Sequence, residues 1–93
     1  MKNILKYAIP IKLRSETEIK IHEGFIPLDV QEQDGKFVLW AVIDESHPLV
    51  TRKFVLLGTG LGIPDGLMDN FHHIKTIQSG PDVWHIFMED YTW

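Results

Sequence analysis

Four groups of residues in this chain have types and spacing that could do chemistry. The first is Gly58-Thr59-Gly60-Leu61-Gly62, which follows an apolar run as phosphate-binding loops follow strands. Consecutive backbone N–H groups in such a loop can form an anion-binding nest. Neither dinucleotide frame is satisfied: counting from Gly58 puts Ile63, and counting from Gly60 puts Asp65, where the last glycine belongs. The Gly-Lys-Ser/Thr ending of a P-loop is absent as well. The competing reading is a structural loop dense in breakers.

The second group is the histidines, His22, His47, His72, His73 and His85. A zinc site needs three or four ligands converging on one point. Adjacent residues on a strand face opposite ways, so His72 and His73 diverge. If Ser79-Gly80-Pro81-Asp82 is a hairpin tip, His72 lies opposite Glu89 and His85 opposite Thr76, with Ile74 and Phe87 between them. No metal site is expected. Metal-assisted hydrolysis by His72, His85 and Glu89 is the weakest of three functional readings.

The third group is basic. The first twenty residues carry Lys2, Lys6, Lys12, Arg14 and Lys20 against Glu16 and Glu18, a net of +3, and the remainder carries −7, giving −4 for the chain. Lys6, Lys12 and Lys20 alternate away from the apolar positions and offer a basic patch, or else a solvated edge guarded by lysines. A long nucleic-acid duplex is a poor partner for an acidic chain. The fourth group is aromatic: Trp40, Trp84 and the ending Tyr91-Thr92-Trp93 exceed what one small core absorbs. Such rings anchor interfaces and stacking sites. Asp29, expected opposite Trp40, is either a carboxylate raised in pKa by an apolar wall or an ordinary exposed pair. No Cys nucleophile and no Gly-x-Ser-x-Gly elbow exist, and Ser15, Ser46 and Ser79 fall in turns. The expectation is a protein without catalytic residues or cofactor.

The elements that position these groups have a period of two. Leu5, Tyr7, Ile9, Ile11 and Leu13 alternate with polar or small residues, predicting a strand with Pro10 marking it as an edge. Ile19 and Ile21 alternate in the next run. Asp34-Gly35 predicts a type I′ turn, setting Val30 opposite Leu39, Leu28 opposite Ala41 and Ile26 opposite Ile43. The other face then pairs Gln33 with Lys36, Gln31 with Val38 and Asp29 with Trp40. Phe37 to Asp44 is apolar at both parities, which predicts a central strand or one whose outer face meets a partner. Val50 to Leu57 is a further strand, 58–66 a loop, Leu67 to Phe71 at most one helical turn, and Ile74 to Gln78 with Val83 to Glu89 a second hairpin. Six or seven short strands predict an all-β domain over 1–93, a small antiparallel β-sandwich or partly open barrel.

Composition bounds the class. The chain has 93 residues, 44% hydrophobic and 24% charged, as in an ordinary globular domain. No apolar run approaches the ~20 residues a membrane helix needs. Met1 to Lys6 does not resemble a secretory signal, and the absence of cysteine fits a reducing cytoplasm.

Several stretches together resemble an uncharacterised family of small tailed-phage and prophage proteins. They are Lys6-Tyr7-Ala8-Ile9-Pro10-Ile11, Thr17-Glu18-Ile19, Val30-Gln31 to Gln33, Leu39-Trp40-Ala41-Val42-Ile43-Asp44, Phe54 to Gly60, His73-Ile74-Lys75-Thr76-Ile77-Gln78 and Trp84-His85-Ile86-Phe87. The chain departs from that pattern at Gly24-Phe25-Ile26-Pro27 and at Lys75. The family carries no agreed catalytic residues, so none are transferred. The resemblance implies a phage genome and expression in the bacterial cytoplasm.

In that context the first expectation is a non-enzymatic binder that sequesters a negatively charged small molecule, a host nucleotide-derived immune signal, at an interface of a homo-oligomer. Lys6, Lys12, Arg14, Arg52, Lys53 and the Gly58-Thr59-Gly60 loop would supply donors, and Trp40 or Trp93 a stacking surface. The second is a protein-interaction module that inhibits a host enzyme or complex.

Overall fold

Two tight turns set the architecture. Asp34 and Gly35 both take positive φ, 50° and 77°, the conformation a two-residue type I′ hairpin needs. Gly80, at φ 57°, turns the second hairpin. The computed structural model describes residues 1–12 and 15–90. Leu13, Arg14 and Tyr91-Thr92-Trp93, named above, lie outside the described residues.

Seven strands form: β1 (Lys2–Ile9), β2 (Glu16–His22), β3 (Ile26–Gln33), β4 (Lys36–Asp44), β5 (Leu49–Gly58), β6 (Phe71–Ser79) and β7 (Asp82–Glu89). They make two antiparallel sheets, one ordered β1-β4-β3 and the other β2-β5-β7-β6. The fold is a small all-β sandwich without a closed barrel. Among the described residues there is no helix. The turn expected near Leu67 to Phe71 is a series of reverse turns, with Leu67, Asp69 and Phe71 N–H donating to the carbonyls of Pro64, Gly66 and Met68. No helix is long and apolar enough to cross a membrane.

The core lies between the sheets and follows the alternation. Phe37, Leu39, Ala41 and Ile43 of β4 pack with Ile19 and Ile21 of β2, Phe54 and Leu56 of β5, and Ile86 and Met88 of β7. As expected, β4 is central in its sheet, flanked by β1 and β3. The first strand begins earlier than its sequence suggests. It spans Lys2–Ile9, which leaves Ile11 beyond it and 49% exposed, while Leu5 faces the core at an edge where it stays 40% exposed.

Two registers differ from expectation for one reason each. The pairs Val30↔Leu39, Gln31↔Val38, Asp29↔Trp40 and Gln33↔Lys36 form as predicted. A bulge between Pro27 and Asp29 then shifts the strand, so Ala41 faces Pro27 and Ile26 faces Val42, not Ile43. Leu28 is the extra residue and is 51% exposed. In the second hairpin, Thr76 does face His85, but a bulge between His73 and Lys75 leaves Ile74 unpaired. His72 therefore faces Met88, Phe71 faces Glu89, and His73 faces Phe87. An inserted residue flips the facing of everything beyond it.

The two sheets differ on their outer sides. β5 and β6 run parallel with β7 between them, so residues 59–70 must return along the sheet and cross β7. The inner side is filled by the core, so this connection returns outside it, its start tied to β7 by the Thr59 N–H on the Val83 carbonyl and its end by the Asp90 N–H on the Asn70 carbonyl. On this sheet Val55 and Leu57 alternate away from the core and yet are 0% and 4% exposed. The outer side of β1-β4-β3 has no such connection among the described residues.

Candidate functional site

The bare face of the three-stranded sheet is built in rows by strand register. Ile4, Val42 and Ile26 form one row, and Lys6, Trp40 and Asp29 the next. Ala8, Val38 and Gln31 follow, and then Lys36 with Gln33 at the hairpin end. These residues share a face because they occupy alternate positions of neighbouring strands. Trp40 is half-buried, flanked by Lys6 on one side and Asp29 on the other.

At the hairpin end of this face lies a depression of about 300 Å³ lined by Lys6, Ala8, Gln33, Asp34, Lys36 and Val38. Its floor is apolar, since Val38 is only 6% exposed despite facing outward. Lys6 Nζ donates to Gln33 Oε1 at 3.2 Å, which holds its ammonium over the depression. Lys36 supplies a second cation on the next strand. Lys6 and Lys36 bring two ammonium groups to this lining against the single Asp34 carboxylate, a net positive charge over an apolar floor that suits a small anion with a flat or apolar body. Lys36 was missed in the sequence, although its expected pairing with Gln33 already placed it on this face.

Asp29 is not raised in pKa by Trp40. The Lys75 ammonium, 2.9 Å away, and then the Gln31 amide hold its carboxyl below the usual range. The Asp29–Lys75 pair joins β3 to β6 across the two sheets, as does Ser79 Oγ donating to Glu32 at 2.6 Å.

The other expected donors lie elsewhere. Lys12 is exposed in the connection after β1. Arg52 faces inward on β5 and is 5% exposed, with Nη2 donating to the Glu89 carbonyl at 2.9 Å and its guanidinium 5.1 Å from the Phe25 ring centre. Its position two residues before Phe54 is the sequence signal that it points inward. Lys53 pairs with Glu16 at 3.4 Å. Arg52 and Lys53 thus belong to the four-stranded sheet, away from Lys6 and Trp40. Arg14 and Trp93 lie outside the described residues.

Gly58, Thr59 and Gly60 begin the crossover. Gly58 and Thr59 line a pocket of about 260 Å³ with Leu61, Pro81, Asp82, Val83 and Trp84. The Asp82 carboxylate opposes an anion there. A Cβ at Gly58 would stand 3.0 Å from Leu61 Cδ1 and 3.7 Å from Trp84 Cζ3, so glycine lets Leu61 fold back over the strand end. Trp84 itself packs edge-on against Phe37, with centroids 6.0 Å apart.

The histidines join hydrogen-bond chains of their own. His73 Nε2 meets Thr76 Oγ1 at 2.7 Å, Thr76 Oγ1 meets His85 Nδ1 at 3.0 Å, and His85 Nε2 meets Thr59 Oγ1 at 2.7 Å. The chain ties the start of the crossover to the sheet beneath. His72 instead pairs with Asp90 at 2.5 Å, and Glu89 with Arg52 and the Lys53 N–H. His72, His85 and Glu89 are therefore held by three different sets of partners. Among the described residues no three His, Cys, Asp or Glu side chains are grouped to hold a metal ion.

Comparison with curated proteins and with solved structures finds no match. A family described as DUF7352, a domain of unknown function, matches residues 1–92, and the chain belongs to that family.

Proposed function

We propose that the protein is a non-enzymatic binding module that holds a negatively charged small molecule on the outer face of its three-stranded sheet, at Lys6, Lys36 and Trp40. One observation supports this above the others. The connection from β5 to β6 has to return past β7, whereas no connection among the described residues crosses the three-stranded sheet, which presents two lysines on an apolar depression and Trp40 in the row of Lys6. Apolar surface kept bare in a domain this small marks an interaction site. The resemblance to small tailed-phage proteins makes a host nucleotide-derived signal, sequestered in the bacterial cytoplasm by a homo-oligomer, the ligand class to test first.

Thermal-shift measurements against cyclic di- and oligonucleotides, ADP-ribose derivatives and divalent metal ions test this reading. A ligand at 100 times its Kd adds about 2.7 kcal/mol, a shift of roughly 10–20 °C in a domain of this size. The shift should vanish in Lys6→Ala/Lys36→Ala, and ligand should change Trp40 emission. No shift with any anion overturns the proposal. A second reading, a surface for a host protein, is favoured by the aliphatic end of the same face, where Ile4, Ile26 and Leu28 are 61%, 56% and 51% exposed. It predicts no response to any nucleotide and loss of a protein partner in Ile26→Asp.

A further inference from the structure

The four sheet edges are not equally protected. β3 carries Pro27 and a bulge, and β6 carries a bulge, and the two are bridged by Lys75–Asp29 and Ser79–Glu32. β2 exposes Glu16, Glu18 and Lys20 in alternation. β1, like β2, pairs in unbroken register, from Lys2↔Asp44 to Ile9↔Phe37, without proline or bulge, but it differs in exposing two large apolar residues, Ile4 and Leu5, between its lysines. Among the described residues no strand pairs with its other side. Such an edge is a template for another strand.

We infer that β1 pairs antiparallel with β1 of a second copy about a two-fold axis normal to the sheet. This rests on the oligomeric part of the function proposed above and not on its ligand. The union makes one six-stranded sheet, within the ordinary range. The axis keeps both cores on one side, so facing residues must have the same parity. Centring on Ile4 sets Lys2 against Lys6 of the second copy, and centring on Lys6 sets that lysine against itself; both are repulsive. Centring on Leu5 sets Lys2 against Ala8, Ile4 against Lys6 and Leu5 against Leu5, with no like charges opposed. Registers farther out pair fewer residues. Edge lysines usually bar association, but these two are spaced so that they bar the neighbouring registers and leave this one.

Leu5 supports the same centre independently. It faces the core layer, opposite the fully buried Ala41, yet it is 40% exposed because the core ends there. At the two-fold axis it would close that gap against its own copy. The join also brings Ile4 and Val42 of one copy into the row of Lys6 and Trp40 of the other, extending the bare face across the seam.

Sedimentation equilibrium on the full chain tests the register by charge. Ile4→Glu puts a carboxylate opposite Lys6 of the second copy, twice per dimer, and Ile4→Lys puts an ammonium there. The first should dimerise more tightly than wild type and the second less, with Kd values separated by on the order of tenfold or more. Because the chain has no cysteine, Leu5→Cys should form an intermolecular disulfide on oxidation, whereas Asp34→Cys at the hairpin tip should not. A monomer at every concentration, equal weakening by both Ile4 variants, or equal cross-linking at both cysteines would overturn the inference. The thermal shift with anions is read separately, so loss of ligand binding and loss of the seam are distinguishable.

Discussion

Val55→Ala isolates the difference between the two outer faces. Val55 alternates with Phe54 and Leu56, which are in the core, so by facing alone it is an outward residue whose truncation should cost less than about 0.5 kcal/mol. It is nevertheless 0% exposed. If residues 59–70 cover it, the substitution removes the equivalent of two buried methylenes, about 1.6 kcal/mol, and leaves a cavity worth up to ~1 kcal/mol more. A loss near 2 kcal/mol in a domain of this size corresponds to a fall of roughly 8–16 °C in Tm. Urea denaturation followed by tryptophan fluorescence measures it, with an unchanged m-value showing that the unfolding reaction is the same. Thr51→Ala, on the same strand and face but exposed, is the control and should stay within about 0.5 kcal/mol of wild type. If Val55→Ala behaves like Thr51→Ala, the crossover does not pack on that sheet. The contrast between a covered and a bare face then disappears, and the functional argument loses its support.

Three other expectations follow from single contacts. Thr17 Oγ1 is buried without a hydrogen-bond partner among the described residues, so Thr17→Val should raise stability by roughly 1 kcal/mol in the same denaturation assay. Gly35 stands at φ 77° with open space around its Cβ position, so Gly35→Ala should cost about 1–2 kcal/mol from backbone strain alone and leave the hairpin register intact by NMR. Asp29 is lowered chiefly by Lys75, and Asp44, bonded by the Ser46 hydroxyl and N–H, is lowered to about 2. Both folded values lie below the unfolded one, so their stabilisation is complete above about pH 4 and is lost as pH falls through the lowered values. Asp29→Asn should flatten part of that acid limb and cost about 0.2–1 kcal/mol at neutral pH, since the pair with Lys75 is part-exposed.

The strands and both hairpins were legible because alternation and turn chemistry act locally. Asp34-Gly35 sets the register from Gln33↔Lys36 back to Asp29↔Trp40, and the prediction fails only where Leu28 is inserted. A bulge leaves almost no local mark: Ile26, Leu28 and Val30 alternate in the sequence as though the strand ran straight. The first strand was misplaced because alternation continues through Ile11, whereas pairing with β4 ends at Ile9. The site was legible in its parts and not in its assembly. Alternation says that Lys6 and Trp40 face outward, but only the order β1-β4-β3 makes them neighbours and puts Arg52 and Lys53 in the other sheet.

The strand order also explains why one face is bare. A parallel relationship between β5 and β6 requires a long connection back past β7, and its packing on that sheet is what Val55→Ala tests. In the other sheet, β4 is joined to β3 by a two-residue turn, and among the described residues no connection crosses its outer side. The apolar residues Val38, Trp40 and Val42 on the outer parity of β4 are therefore not surplus core. A strand whose outer side met only water would be expected to carry polar residues at those positions. Their presence on this sheet, beside Lys6 and Lys36, is what the proposed ligand would cover, while the inferred β1 seam lengthens the same face and leaves it open.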